Sequence, residues 1–434
     1  MGRSFVEDRE TIPRVTNSPR HPRIQSVSEE ARVTPIELFF DLVFVFSLTQ
    51  VTAMMAADLS ARGIVRGLLV LALLWWCWVG YAWLGNVVQA DEGVGRVAMF
   101  GAMAAMFVAA LAVPEAFEDI GGGLSGPVVL ALAYLMVRVL HLTIFWLAAG
   151  AGHDYALRGQ LLRFAPSVIG STVLLLVASQ LEGTAQILMW VAVLIVDYAG
   201  TILAGASGWR LNSAAHFAER HGLIVIIALG ESIVAIGVGV SSLPISWPVI
   251  TASVLGLTLA GCLWWAYFDV LAIVAERALR SAQGEERARL ARDGYSYLHL
   301  PMIAGIISTA LGMKKVVEFV ADTSHELSET LPILPLASMY GGVALYLLAH
   351  VAFRFRIWHH VFVLRMASAV LIVALIPLAA QIPALASLAL LTGVMVGLIA
   401  VETMRGSEFR ERVRHEDDAT ASEAGDAATD GERT

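Results

Sequence analysis

Charge is scarce in this sequence. Asp, Glu, Lys and Arg make up 15% of its 434 residues, against about a quarter in an ordinary soluble domain, which excludes a water-soluble fold of normal composition. Cysteine is scarcer still. Cys77 and Cys262 are the only two, each inside a long apolar run, so neither a disulfide scaffold nor a cysteine zinc site is expected. The signatures of common enzymes are missing as well: no GxxxxGK[ST] phosphate loop, no GxSxG nucleophile elbow and no HExxH pair occurs. His359 and His360 are adjacent, which points them to different sides of a helix. GVG at 237–239 lies within an apolar run and not after a soluble strand. An enzyme is therefore not expected, and no catalytic residue, cofactor, metal centre or nucleic-acid partner is assigned. The first 35 residues are polar and arginine-rich and lack a short apolar region before a small-residue cleavage site. No removable signal peptide is expected, and the first apolar segment must direct insertion.

What is abundant is apolar sequence. Hydrophobic residues reach 57% and mean hydropathy is +0.71, the composition of a polytopic membrane protein. Runs long enough to cross a bilayer fall at 36–56, 67–87, 97–114, 127–149, 161–181 and 184–206, then at 222–241, 248–272, 297–317, 331–353, 360–380 and 383–402. The expected fold is all-α, with about twelve transmembrane helices. Gly and Pro mark the gaps, as in GGGLSGP (121–127) and SSLPISWP (241–248). The net charge of -8 owes much to seven acidic residues between Glu416 and Glu432, in a tail expected to be disordered.

Basic residues orient the chain. With the amino terminus in the cytoplasm, the outside loops hold only Arg62 and Arg66, while Arg138, Lys314, Lys315 and Arg365 fall within spans. Both termini are expected on the cytoplasmic side of a bacterial inner membrane. A repeat is also legible: ALLWWCWVGYAW (72–83) aligns with AGCLWWAYFDVL (260–271), and RVAMFGAMAAM (96–106) with HLPMIAGIIST (299–309). The division is a polar cytoplasmic segment (1–35), two six-helix halves (36–206 and 207–403) and the acidic tail (404–434). Six is even, so the halves enter the membrane with the same orientation, as parallel-repeat transporters do.

Charges inside the spans are the candidates for chemistry, because each costs several kcal/mol unless compensated. Glu37 and Asp41 are four apart in TPIELFFDLVFVFSLTQ (34–50) and share a helix face with Thr52. Asp41 is only about 7 Å into the helix at 1.5 Å per residue, so each carboxylate reads either as an N-terminal cap or as the mouth of a polar route. Glu231 lies about 15 Å beyond His221, near mid-membrane, where a lone carboxylate costs roughly 3 kcal/mol. It must be protonated, paired or facing water. Gly230, Ser232, Gly237 and Gly239 around it suggest close helix packing. Arg138 and His141 share a face of the fourth span, and Asp197 lies at similar depth in the sixth, which suggests an ion pair in the bundle. His221, Asp269, His299, His350 and Arg365 gather nearer the cytoplasm, where an aqueous vestibule is one reading. Lys314 and Lys315 are expected to snorkel outward.

Three segments carry a family resemblance: TPIELFFDLVFVFSLTQV (34–51), ERHGLIVIIALGESIVAIG (219–237) and GYSYLHLPMIAGIISTALGMKKV (294–316). From about 34 to 403 the chain resembles the bacterial low temperature requirement protein A family. That resemblance implies a role in cold or stress adaptation and no substrate. Phe39, Asp41, Phe44 and Thr49 are similar to the first-helix motif of lysosomal-type potassium channels, which implies two six-helix repeats around a pore. The seventh span lacks the Asp and the aromatic run, a departure that puts a symmetric pore in doubt. The function expected is transport or conduction of a small ion or solute, with proton coupling through Asp41 and Glu231. The alternative is a non-transporting protein that senses or organises membrane lipid. The partners expected are membrane lipid and that small ion or solute.

Overall fold

The computed structural model describes residues 27–29, 31–89, 93–151, 154–205, 208–241, 244–322 and 324–406. The acidic tail, from residue 407 onward, and most of the polar amino-terminal segment lie outside the described residues. Regular structure among the described residues is helical, with no β-strand. In the first half run α1 (Pro35–Ala57), α2 (Ala61–Val87), α3 (Gly93–Leu111), α4 (Gly126–Ala151), α5 (Tyr155–Ala178) and α6 (Gly183–Ala204). There follow α7 (Ala214–Val240), α8 (Trp247–Phe268), α9 (Leu271–Ser281), α10 (Gly284–Leu290), a π-helical segment (Ala291–Tyr297), α11 (His299–Ala321) and α12 (Ile333–Trp358). The chain closes with α13 (Val363–Ala374), α14 (Ile376–Ala379) and α15 (Ala384–Arg405).

Among the described residues ten helical stretches are long and apolar enough to cross a membrane, and 95–111 and 363–379 are shorter apolar helices. Helices suit such a medium because each satisfies its own backbone hydrogen bonds. Every expected run is helical, but the bounds move. The seventh starts at Ala214 and not near 222, which draws His216, Arg220 and His221 into the helix. The eighth stops at Phe268, and its continuation is the separate amphipathic α9.

At the centre α1 packs on α2, α3, α7 and α11, and α7 on α8 and α11. Residues of the α2 span are 83% buried, those of α6 only 17%, so α2 is enclosed by protein and α6 lies at the periphery. Glycines let α11 pack tightly on α12: a Cβ on Gly305 would stand 2.6 Å from Gly342 O, and one on Gly312 2.3 Å from Met339 Cβ. The π-helical segment ties the halves together. Its wider turn leaves Ser296 O to accept from Trp75 Nε1 at 2.8 Å, Ser296 Oγ to accept from Trp83 Nε1 at 2.9 Å, and Gly294 O beside His299 Nδ1 at 3.1 Å.

The aligned tryptophan pairs occupy different surroundings. Trp75 and Trp76 are buried, whereas Trp264 and Trp265 are 44% and 39% exposed. Cys77 and Cys262 are free and buried.

Candidate functional site

The start of α1 is shaped by its own sequence. Pro35 occupies the first turn, and the Thr34 amide and hydroxyl both donate to Glu37 Oε2 at 2.9 Å. This closes the helix end as a first-turn acidic residue can. The other Glu37 oxygen faces inward. Arg220 Nη1 donates to Glu37 Oε1 at 2.9 Å and Arg220 Nη2 to Asp41 Oδ1 at 2.6 Å, so one guanidinium on α7 bridges both carboxylates of α1. Trp78 Nε1, from α2, donates to the same Asp41 Oδ1 at 2.8 Å, and the Arg220 guanidinium lies 5.6 Å from the centre of the Trp78 ring. Glu37, Asp41 and Arg220 are all at most 1% exposed.

His216 completes the cluster, with Nε2 at 3.1 and 3.0 Å from the two Glu37 oxygens. Asn86 stands against its other ring nitrogen. Asn86 Oδ1 accepts from the backbone of Asn212 (2.7 Å) and Ser213 (3.2 Å), and Asn86 Nδ2 donates to Ser213 O at 2.6 Å. With the amide thus oriented, its Nδ2, 3.3 Å from His216 Nδ1, is a donor. The cluster thus holds two carboxyl groups, one guanidinium and one imidazole. Asp41 Oδ2 is buried without a hydrogen-bond partner among the described residues.

Farther along α1, the Thr49 hydroxyl donates to Glu231 Oε2 of α7 at 2.5 Å, and Glu231 is 2% exposed. The first and seventh helices therefore meet at both levels. The close packing expected from the glycines beside Glu231 is absent at Gly230 and Gly237, which face open space; only Gly239 approaches a neighbour, with its Cβ position 3.4 Å from side-chain carbons of Lys314 and Glu318. Between the two levels the buried positions of α1 are Phe44, Ser47 and Leu48.

A second buried network lies in the first half. Arg138 Nη2 donates to Asp197 Oδ1 at 3.0 Å, and Tyr134 OH to Asp197 Oδ2 at 2.5 Å. His141, one turn along α4 from Arg138, packs beside Tyr81 and Phe145 at ring-centre distances of 5.7 and 5.0 Å. It lines a small cavity of about 40 Å³ with Trp83 and Trp209. This network is separate from the carboxylates of α1.

The histidines assigned to a vestibule are not at a solvent surface. His221, His299 and His350 are fully buried, and His221 is packed among Trp78, Phe217, Tyr295 and His299 with ring centres 4.5 to 5.2 Å apart. Tyr267 OH lies within hydrogen-bond distance of His299 Nε2, at 2.8 Å. Arg365 forms a two-pronged pair with Glu402 at 2.8 and 2.9 Å and touches His350 Nδ1 at 2.8 Å. Asp269 is the residue that follows α8. Lys314 and Lys315 pair with Glu318 on their own helix, at 3.8 and 2.8 Å.

Sequence reasoning missed Arg220, His216, Asn86 and Trp78 as members of the site. Arg220 stands next to an apolar run and so counted as a loop cation. The available signal was its spacing of four from His216, which places both on one helix face.

The family model described as Bacterial low temperature requirement A protein (LtrA) matches residues 32–400, which include both carboxylate levels. The chain is 30% identical over 298 residues, 66% of its own length and 69% of the relative's, to "Uncharacterized protein RA0937" of Rhizobium meliloti (strain 1021). No solved structure matches the chain. With the match extending from just ahead of α1 to α15, the chain belongs to the bacterial low temperature requirement A protein family.

Proposed function

We propose that this protein moves protons or small monovalent cations across the bacterial inner membrane, with Asp41 as the loading position. One observation carries the reading: two buried carboxyl groups share one guanidinium, and Asp41 Oδ2 is left without a hydrogen-bond partner among the described residues. An unneutralised charge at such a site costs several kcal/mol. In this reading the site takes up one further positive charge at Asp41 Oδ2, a proton or a bound cation. A group that gains and loses a single cation inside a helical bundle is what coupled transport requires.

In this reading Glu231 is the second station, about 12 Å farther along α1 at 1.5 Å per residue. Phe44 and Leu48, packed between the two levels, form a closed gate. The two shorter apolar helices complete twelve crossings, the halves are parallel repeats, and both termini lie in the cytoplasm.

A second reading, a non-transporting protein that senses or organises lipid, draws support from that same packed section. Flux from liposomes containing the purified protein separates the two. Proton or alkali-cation flux that disappears in Asp41→Asn supports transport; absence of flux for every such ion favours the lipid role.

A further inference from the structure

A groove of about 470 Å³ opens between α7, α8 and α9 at the end of the bundle where α1 and α7 begin. Its size falls among sites for small molecules, roughly 300 to 1,000 Å³. The rim is charged and balanced. Arg32 and Arg280 supply two guanidinium groups, Glu219 and Glu276 two carboxylates. Arg32 is exposed and makes no ion pair among the described residues, while Arg280 reaches Glu276 at 2.5 Å across one turn of α9. Away from the rim the walls are apolar. Leu223 and Ile226 continue the line of Glu219 down α7, so Ile226 lies about 10 Å deeper at 1.5 Å per residue, and Phe268 stands opposite on α8. Tyr295 also lines the groove; it is 1% exposed, and its hydroxyl has no hydrogen-bond partner among the described residues. Burying a hydroxyl unpaired costs free energy that a bound acceptor removes.

A charged rim of both signs, an apolar channel running from it toward the membrane interior and a waiting hydroxyl donor match one class of amphiphile. We propose that this groove binds a phospholipid with a zwitterionic phosphoethanolamine headgroup. The phosphate is held by Arg32 and Arg280, the primary ammonium donates to Glu219 and Glu276, the acyl chain follows Leu223, Ile226 and Phe268, and Tyr295 donates to a glycerol-ester oxygen. A primary ammonium satisfies both carboxylates by hydrogen bonds; a quaternary choline cannot, and an anionic glycerol headgroup leaves them facing a phosphate. This proposal does not depend on transport.

The test uses the full-length protein purified in mild detergent. Native mass spectrometry should find phosphatidylethanolamine retained, and its addition should raise the thermal unfolding midpoint more than phosphatidylcholine or phosphatidylglycerol does, because a ligand that binds only the folded state stabilises it. Arg32→Gln with Arg280→Gln should remove the retained lipid and the shift while leaving the lipid-free midpoint unchanged, since both side chains are at the surface. Ile226→Trp, which fills the channel without altering charge, should do the same. Retention and stabilisation by phosphatidylglycerol equal to or above phosphatidylethanolamine would overturn the assignment of headgroup. No retained lipid, or an undiminished shift in both variants, would overturn the site.

Discussion

Gly85 on α2 leaves room for Glu37 on α1: a Cβ at Gly85 would stand 2.1 Å from Glu37 Oε1 and 3.7 Å from Arg220 Nη1. A methyl group there cannot coexist with the carboxylate in its present place, and the carboxylate is held by Thr34, His216 and Arg220 at once. Gly85→Ala should therefore destabilise the protein by about 1–3 kcal/mol, the usual cost of overpacking. Thermal unfolding in detergent measures it; an unchanged midpoint would show that the network yields freely.

Arg220 neutralises charge that is otherwise buried alone. Arg220→Met should cost about 3–5 kcal/mol, as loss of one partner of a buried pair does. Adding Glu37→Gln and Asp41→Asn should restore part of that stability, because the amides carry no charge. If the triple variant is no more stable than Arg220→Met, ionic pairing is not what holds α1 to α7.

Glu231 separates transport from packing. The Thr49 hydroxyl can donate to an amide oxygen as readily as to a carboxylate, so Glu231→Gln should keep near-normal levels of folded protein. If Glu231 takes up and releases a cation, the same variant loses flux, as does Asp41→Asn. Wild-type flux in both variants would reduce the two carboxyl groups to packing elements.

The orientation proposed here has a direct check. Reporter fusions should place the residues ahead of α1 and those after α15 in the cytoplasm. A periplasmic reporter activity at the carboxyl terminus would overturn both that orientation and the even number of crossings.

The helices themselves were legible because each is an apolar run of roughly membrane length, and Thr34-Pro35 with Glu37 two residues later marks the start of α1 on local grounds alone. The Arg138 and Asp197 pair was accessible too, since two opposite charges at matching depth in neighbouring spans have few other partners. Arg220 was not. Apolar periodicity marks where a run turns greasy, near residue 222, whereas α7 starts at Ala214, since Ser213 accepts from the His216 amide and Asn86 holds the preceding turn.

Sequence by itself therefore determined an all-helical membrane chain, its family and most of the costly charges, Arg220 excepted. Only tertiary structure decided how those charges are shared. One guanidinium serves two carboxylates because α1 and α7 lie side by side; an asparagine on α2 faces His216 Nδ1; and His221, His299 and His350 are enclosed by rings from α2, α7, α8, the π-helical segment and α12. Protonation and pairing are properties of neighbours in space. A sequence gives the depth of each group along its own helix and leaves the rotation and contact of the helices to packing.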